Sequence, residues 1–145
     1  MMNLIKYFIL VILLLNFSHA NAYEMGLIEE QEKSYAEAFN LYKEGQKNKD
    51  KRAIFKLATF YYTGKAVKKN YSKAFSLFKQ SSKMGYEKAT YNLGIFHSNK
   101  RTKYYSPKKA YTIFLKLANK GHAAAQNRLG MFYTFGFGVE VDYKK

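Results

Sequence analysis

The chain has 145 residues, which is enough for one ordinary domain and too few for two of comfortable size. It contains no cysteine, which excludes disulfides, thiol catalysis and cysteine metal sites. Its formal net charge of +15 favours acidic partners such as anionic polymers, lipid surfaces or acidic proteins.

The first 22 residues have the order of regions that marks a secretory signal peptide. A short basic start is followed by the apolar run YFILVILLL at residues 7–15 and then by Ala20-Asn21-Ala22, a small-x-small cleavage site. The apolar run is well short of the roughly 20 residues that span a bilayer, so cleavage after Ala22 is favoured over a membrane anchor. We therefore expect a periplasmic or secreted protein, for which nucleic acid is not an expected partner.

Charges are unevenly distributed along the rest of the chain. Residues 23–50 hold seven acidic residues and four lysines, whereas residues 51–145 hold twenty Lys or Arg and three acidic residues. The basic part either attracts an acidic partner or serves only to keep the protein soluble. Composition leaves both alternatives open.

When the sequence is shifted by 36 residues and compared with itself, the same residues recur at equivalent positions. Three positions carry the same residue in three copies: Ala53, Ala89 and Ala125; Leu57, Leu93 and Leu129; Phe60, Phe96 and Phe132. Their spacings of four and three place them on one stripe of a first helix. A second helix is marked by Ala74 and Phe78, repeated as Ala110 and Phe114. A period in this range indicates stacked helical units with these positions in the core.

Helix-start and helix-end signals recur with the same period. Good N-cap residues stand at Ser34, Asn70, Ser106 and Asp142. Ser34 is followed by Glu37, which predicts a capping box. Gly85 and Gly121 lie where each second helix would end in a left-handed residue.

The GFGV stretch at residues 136–139 falls at the connector between the two helices of the third copy. We interpret it as a turn, because a phosphate-binding loop would need a preceding strand that this pattern does not contain. The second copy departs from the glycine pattern at Lys100 and Thr102, and His97 replaces the tyrosine of the other copies.

These residues resemble the Sel-one-like repeat, a subclass of the tetratricopeptide-like α-solenoids. The third copy matches the family pattern at Ala125, Leu129, Gly130, Tyr133, Gly136, Gly138, Val139, Asp142 and Lys145. The resemblance implies an all-α fold, a right-handed α-solenoid of antiparallel helix pairs with a 36-residue period, which binds or scaffolds protein partners. Family members in bacteria are often exported and act in the envelope, in signalling or in host interaction.

The period divides the chain into a signal peptide and three copies with a leading half-copy. We predict a signal peptide at 1–22, an acidic N-terminal segment at 23–33, a half-repeat helix at 34–50, repeats at 51–86 and 87–122, and an incomplete repeat at 123–145. The half-repeat is expected to lack a first helix and the last repeat to lack a second. Because stacked repeats need polar end caps, we expect self-association at the C-terminal edge.

First helices line the concave face in related solenoids, and by that analogy we predict a partner-binding groove. Its residues are Arg52, Phe55, Thr59, Tyr62, Lys88, Tyr91, Ile95, Ser98, Asn127 and Met131. The alternative is that Phe55, Tyr91 and Ile95 pack between repeats. A basic surface is predicted away from this groove, at Lys65, Lys68, Lys69, Lys73, Lys108, Lys109, Lys116 and Lys120.

Catalytic signals are weak. His97 and His122 are the histidines that follow the predicted signal peptide, and no spacing assembles a Ser-His-acid triad or a metal site. We therefore predict a non-enzymatic protein without a cofactor that binds a protein or peptide partner through the groove. The alternative function is electrostatic binding of an anionic envelope polymer or lipid, and a small hydrolase is the least favoured reading.

Overall fold

The computed structural model describes residues 22–135, which form seven α-helices and no strand. The helices are α1 (Ala22–Gln31), α2 (Tyr35–Lys47), α3 (Lys51–Thr63), α4 (Tyr71–Lys83), α5 (Glu87–Ser98), α6 (Pro107–Ala118) and α7 (Ala123–Phe135). Residues up to Leu77 belong to one compact unit and residues from Phe78 onward to a second, so the boundary falls within α4. The predictions for residues 1–21, for the GFGV connector and for Asp142 lie outside the described residues.

The first unit is built on an aromatic core between α1, α2 and α3. Tyr42 of α2 is fully buried, and its ring meets Phe60 of α3 edge-on with the ring centroids 5.7 Å apart. On its other side Tyr42 fills a notch at Gly26 of α1, where an added Cβ would lie 2.5 Å from the tyrosine Cε1. A small residue on one helix therefore admits a ring from the next, which lets α1 and α2 pack closely.

Helix α1 corrects the expectation that α2 has no first helix before it. Gly26 corresponds in role to Ala58 of α3 and Gly94 of α5, but it precedes Ala58 by 32 residues, not 36. The reason is the link between the helices: residues 32–34 join α1 to α2, whereas residues 64–70 join α3 to α4. A comparison that uses a strict 36-residue shift therefore does not detect α1.

The second unit packs α5, α6 and α7 around Phe114 of α6. This ring lies 5.6 Å from the Tyr91 ring and 5.9 Å from the Phe132 ring, measured between centroids. Gly94 provides the notch, because a Cβ there would lie 2.6 Å from Cε1 of Phe114. The aligned alanines, leucines and phenylalanines of the 36-residue pattern are buried, and Leu93 is 9% exposed. The predicted core stripe is thus confirmed for the described copies.

Four helix ends share one hydrogen-bond pattern. A residue with positive φ follows the helix at Lys33, Lys49, Gly85 and Gly121, with φ values of 62°, 57°, 79° and 82°. At each, the next N–H donates to the carbonyl five residues back, as from Asp50 to Gly45 at 2.8 Å. This is the Schellman arrangement, and the prediction for Gly85 and Gly121 is confirmed.

The predicted N-caps begin the helices as expected, but only one of the three described side chains acts as a cap. Asn70 Oδ1 accepts from the Lys73 N–H at 2.9 Å. The hydroxyls of Ser34 and Ser106 make no capping bond, so the predicted capping box with Glu37 does not form. No helix within residues 22–135 is long and apolar enough to cross a membrane.

Candidate functional site

Arg52, the first residue of the predicted groove, is engaged within its own unit. Its guanidinium binds Glu24 of α1 and Asp50, each at 2.9 Å, and lies 4.3 Å from the centre of the Tyr23 ring. Asp50 in turn caps α3 by accepting from the Arg52 N–H at 2.7 Å. Burial favours a higher pKa for Asp50, but the hydrogen bonds from Arg52 outweigh it and hold that pKa below its usual value. Arg52 therefore ties α1 to α3, and its place in a partner-binding groove stays a prediction.

The other predicted residues of α3 present little polar chemistry to a ligand. Thr59 donates its hydroxyl hydrogen to the Phe55 carbonyl at 3.1 Å, within the helix. Phe55 is half-buried. Tyr62 is 36% exposed and meets Tyr71 edge-on, with the ring centroids 5.4 Å apart.

On α5, the packing alternative accounts for Tyr91. Its ring stacks on His122 at 5.1 Å with an interplanar angle of 15°, and its hydroxyl accepts from Arg128 Nε at 3.4 Å. Ile95 is partly buried against the core cluster of the second unit. For both side chains the structure thus favours packing between repeats over the alternative of a groove surface.

The remaining predicted positions of the second unit differ in exposure. Lys88 and Asn127 are exposed, and Met131 is 45% exposed. Ser98 donates its hydroxyl hydrogen to the Ile95 carbonyl at 2.9 Å, which closes the end of α5.

A pocket of about 280 Å³ lies within the second unit, and we call it the α5–α7 pocket. Its lining residues are Ser98, Lys100, Tyr105, Pro107, Arg128, Met131 and Phe132. Only Ser98 and Met131 belong to the groove predicted from the sequence. Lys100 and Tyr105 come from the connector that departs from the repeat pattern, and that departure is the signal by which they could have been found.

The α5–α7 pocket combines apolar surface with positive charge. Met131 and Tyr105 are 45% and 38% exposed, and Phe132 is buried beside them. Lys100 and Arg128 are the charged residues of its lining. Arg128 is positioned by its hydrogen bond to Tyr91, so the packing role of Tyr91 also shapes the pocket. Such a mixture suits an apolar side chain that is followed or preceded by a carboxylate.

The predicted basic residues are all exposed, and they divide between the two units. In the first unit, Lys65 and Lys69 lie over the rings of Tyr35 and Tyr71 at 4.7 and 5.9 Å. In the second, Lys120 forms an ion pair with Glu87 at 2.7 Å and lowers the pKa of that carboxyl.

Both histidines have structural contacts. His97 Nδ1 lies 2.6 Å from the Tyr104 carbonyl and so fixes the connector between α5 and α6. His122 Nδ1 accepts from the Ala125 N–H at 3.2 Å at the start of α7. Over residues 22–135, no group of three or more His, Asp or Glu side chains is arranged to hold a metal ion.

Comparison with known proteins decides the family. The model of the Sel1 repeat matches residues 17–45, 51–86, 87–122 and 123–145. The chain belongs to the Sel1 repeat family. The first matched segment includes α1, in agreement with the helix that the strict period missed. No curated protein matches the chain.

Two solved structures show the same fold. A Sel1 repeat protein from Oxalobacter formigenes has a TM-score of 0.77 and 25% identity, over 86% of this chain and 52% of its own. A protective antigen present in uropathogenic Escherichia coli strains, which displays an SLR fold, has a TM-score of 0.75 and 25% identity, over 87% of this chain and 28% of its own. This chain therefore spans about half the length of the first and about a quarter of the second. Its fold is an all-α solenoid. Proteins of this family are commonly protein-interaction scaffolds and are typically non-catalytic.

Proposed function

We propose that this protein is exported and binds a protein partner through the α5–α7 pocket. The observation that carries the proposal is the composition of that pocket, in which exposed Met131 and Tyr105 lie beside Lys100 and Arg128. Methionine and aromatic side chains adapt to apolar partner groups, and the two cations select a partner with negative charge nearby. The expected ligand is a segment with a large apolar residue next to Asp or Glu.

Selection of displayed random peptides on the purified protein tests this proposal. We expect enriched peptides to combine a large apolar residue with an acidic neighbour, and Met131→Glu to weaken their binding at least about tenfold. Ala123→Glu is the matched control, since it places the same charge on an exposed position of α7 that lies outside both the pocket and the predicted groove. If Met131→Glu binds the selected peptides as the wild type does, the pocket is not the binding site.

Electrostatic binding of an anionic envelope polymer or lipid is the second candidate. It is favoured by the charge of residues 78–135, which hold eleven Lys or Arg and one acidic residue. Binding of such a polymer or lipid would depend steeply on salt concentration and would weaken when Lys108, Lys109 or Lys116 is replaced by an uncharged residue. Peptide binding through the pocket would instead persist at high salt with reduced affinity, and would be insensitive to those three substitutions.

The proposal of export is supported by the leader pattern of residues 1–22. Cleavage after Ala22 would leave Tyr23 as the first residue, with its ring still against Arg52 and 6.1 Å from the Tyr42 ring. We expect mass spectrometry of the exported protein to find Tyr23 at the N-terminus. Recovery of the exported protein with residues 1–22 attached would contradict the proposed cleavage.

A further inference from the structure

Helix α1 exposes an apolar strip that its own unit does not cover. Met25 and Ile28 are 45% and 57% exposed, and their spacing of three places them on the same face of the helix. The inner face of α1 is occupied, because Gly26 is buried and meets Tyr42. The outer face of α1 therefore carries two large apolar side chains that are exposed.

Acidic residues surround this strip. Residues 22–32 contain four glutamates and no basic residue. Two of the four are paired inside the first unit, Glu24 with Arg52 and Glu30 with Lys56. Glu29 and Glu32, by contrast, take part in none of the ion pairs found among the described residues. Glu32 follows Ile28 by four residues and extends the strip, which therefore carries apolar and negative groups together.

The α5–α7 pocket has the complementary composition. It offers Met131 and Tyr105 to apolar groups and Lys100 and Arg128 to carboxylates. We propose that the acidic outer strip of α1 in one copy of this chain docks into the α5–α7 pocket of a second copy. This inference rests on the proposed function of the pocket and names its partner as a second copy.

Each copy presents one strip and one pocket. Two copies can therefore dock reciprocally in a closed two-fold dimer, or the contacts can run head-to-tail into a larger ring or a filament. Opposite charges on the two surfaces steer the encounter, while the apolar side chains provide the contact area. Association should therefore weaken, without vanishing, as salt is raised.

Two variants that each disable one surface test the inference. Ile28→Lys reverses the character of the strip, and Met131→Glu places a negative charge in the pocket. Both residues are exposed, so the variants should keep the fold, which their thermal melts verify. We expect each variant alone to sediment as a monomer at concentrations where the wild type associates. An equimolar mixture should form a dimer and stop there, because the Met131→Glu copy still has a strip and the Ile28→Lys copy still has a pocket.

Matched controls and the remaining outcomes distinguish this inference from the proposed function. Ala36→Lys on α2 and Ala123→Glu on α7 change exposed residues outside the two surfaces and should associate as the wild type does. A wild type that is monomeric at all concentrations, or a mixture that stays monomeric, overturns the inference. In that case, loss of peptide binding in Met131→Glu would still support the pocket as a partner site. If Met131→Glu changes neither association nor peptide binding, both proposals fail.

Discussion

At the scale of single residues, the close contact between paired helices depends on the absence of a side chain at one position of the first helix. Gly94 sits where a Cβ would lie 2.6 Å from Cε1 and 2.8 Å from Cζ of Phe114, distances that ordinary packing does not allow. Gly130 occupies the same position one repeat later and has no described neighbour within 4 Å. One residue type at equivalent positions thus has two different surroundings.

We predict that Gly94→Ala destabilises the protein and that Gly130→Ala does not. Alanine gains about 1 kcal/mol in helix propensity over glycine, but at Gly94 overpacking against Phe114 costs about 1–3 kcal/mol. At Gly130 only the gain in helix propensity applies, because an added Cβ meets no neighbour. That variant should therefore be as stable as the wild type or more stable. Urea denaturation of the two variants measures the difference. Equal free energies of unfolding for both variants would mean that Gly94 is not a packing notch.

A second residue-scale prediction concerns Asp50 and acid. Its pKa is depressed in the folded protein by Arg52, so its carboxylate stabilises the fold above its unfolded pKa of about 4. That contribution is lost as pH falls through the depressed folded pKa. Asp50→Asn keeps a side-chain acceptor for the cap but removes the charge. The wild type should therefore exceed this variant in free energy of unfolding at neutral pH, and the difference should shrink below about pH 4. Denaturation curves at several pH values test this, and a difference that is constant with pH would contradict it.

At the scale of the elements, four helices end in the same left-handed turn but with different residues in it. Gly85 and Gly121 adopt a positive φ without steric cost, whereas Lys33 and Lys49 adopt it with a side chain. The carbonyls at each helix end are satisfied by the same pair of hydrogen bonds, so the geometry of the turn outweighs the preference of the residue.

We predict opposite effects for reciprocal substitutions at these turns. Lys49→Gly should stabilise the protein by about 0.5–1 kcal/mol, because it relieves the left-handed strain at φ 57°. Gly85→Ala should destabilise it by about 1 kcal/mol through the backbone alone, since an added Cβ at Gly85 meets nothing within 4 Å. Thermal or urea denaturation provides the measurement. A loss of stability in Lys49→Gly would show that the flexibility of glycine in the unfolded chain outweighs the strain.

The elements also show how far the sequence could predict the structure. The stripe Leu93–Phe96 and its copies, together with the turns at Gly85 and Gly121, follow from periodicity and residue chemistry, and both are found in the structure. Helix α1 could not be read from a fixed period because its link to α2 is shorter. The Asp50 cap was missed because Asp50 falls outside the repeated cap positions.

The groove itself stays a prediction, and for Tyr91 the sequence leaves two alternatives open, an exposed groove face or packing between repeats. The contacts of Tyr91 with Phe114, His122 and Arg128 favour packing, and they depend on side chains distant in sequence. The pocket is lined in part by Lys100 and Tyr105, which lie in the connector of the second copy, where the sequence departs from the glycine pattern. Periodic residues thus predict the scaffold, whereas the candidate site combines the periodic Phe132 with residues that depart from the pattern.

At the scale of the whole molecule, the helices of the second unit differ in how much of their surface is covered. Among residues 22–135, helix α6 packs against both α5 and α7, whereas α7 packs mainly against α6 and leaves Met131 and Tyr133 45% and 49% exposed. In a repeat protein stability comes from neighbouring units, so a helix covered on one side opens more readily than one covered on both. The same argument applies to α1, whose outer strip is exposed.

We therefore predict that amide hydrogens of α7 exchange with solvent faster than those of α6 in dilute protein. Raising the protein concentration should slow exchange in both α1 and α7, because the proposed contact between strip and pocket covers one surface of each, while α6 should change little. The Met131→Glu variant should lose this concentration dependence in α7, and Ala123→Glu should retain it. Exchange measured by mass spectrometry at two concentrations resolves the helices separately. If α7 is as slow as α6 in dilute protein, its outer face is already covered within one chain, and the pocket beside it is not open to a second copy.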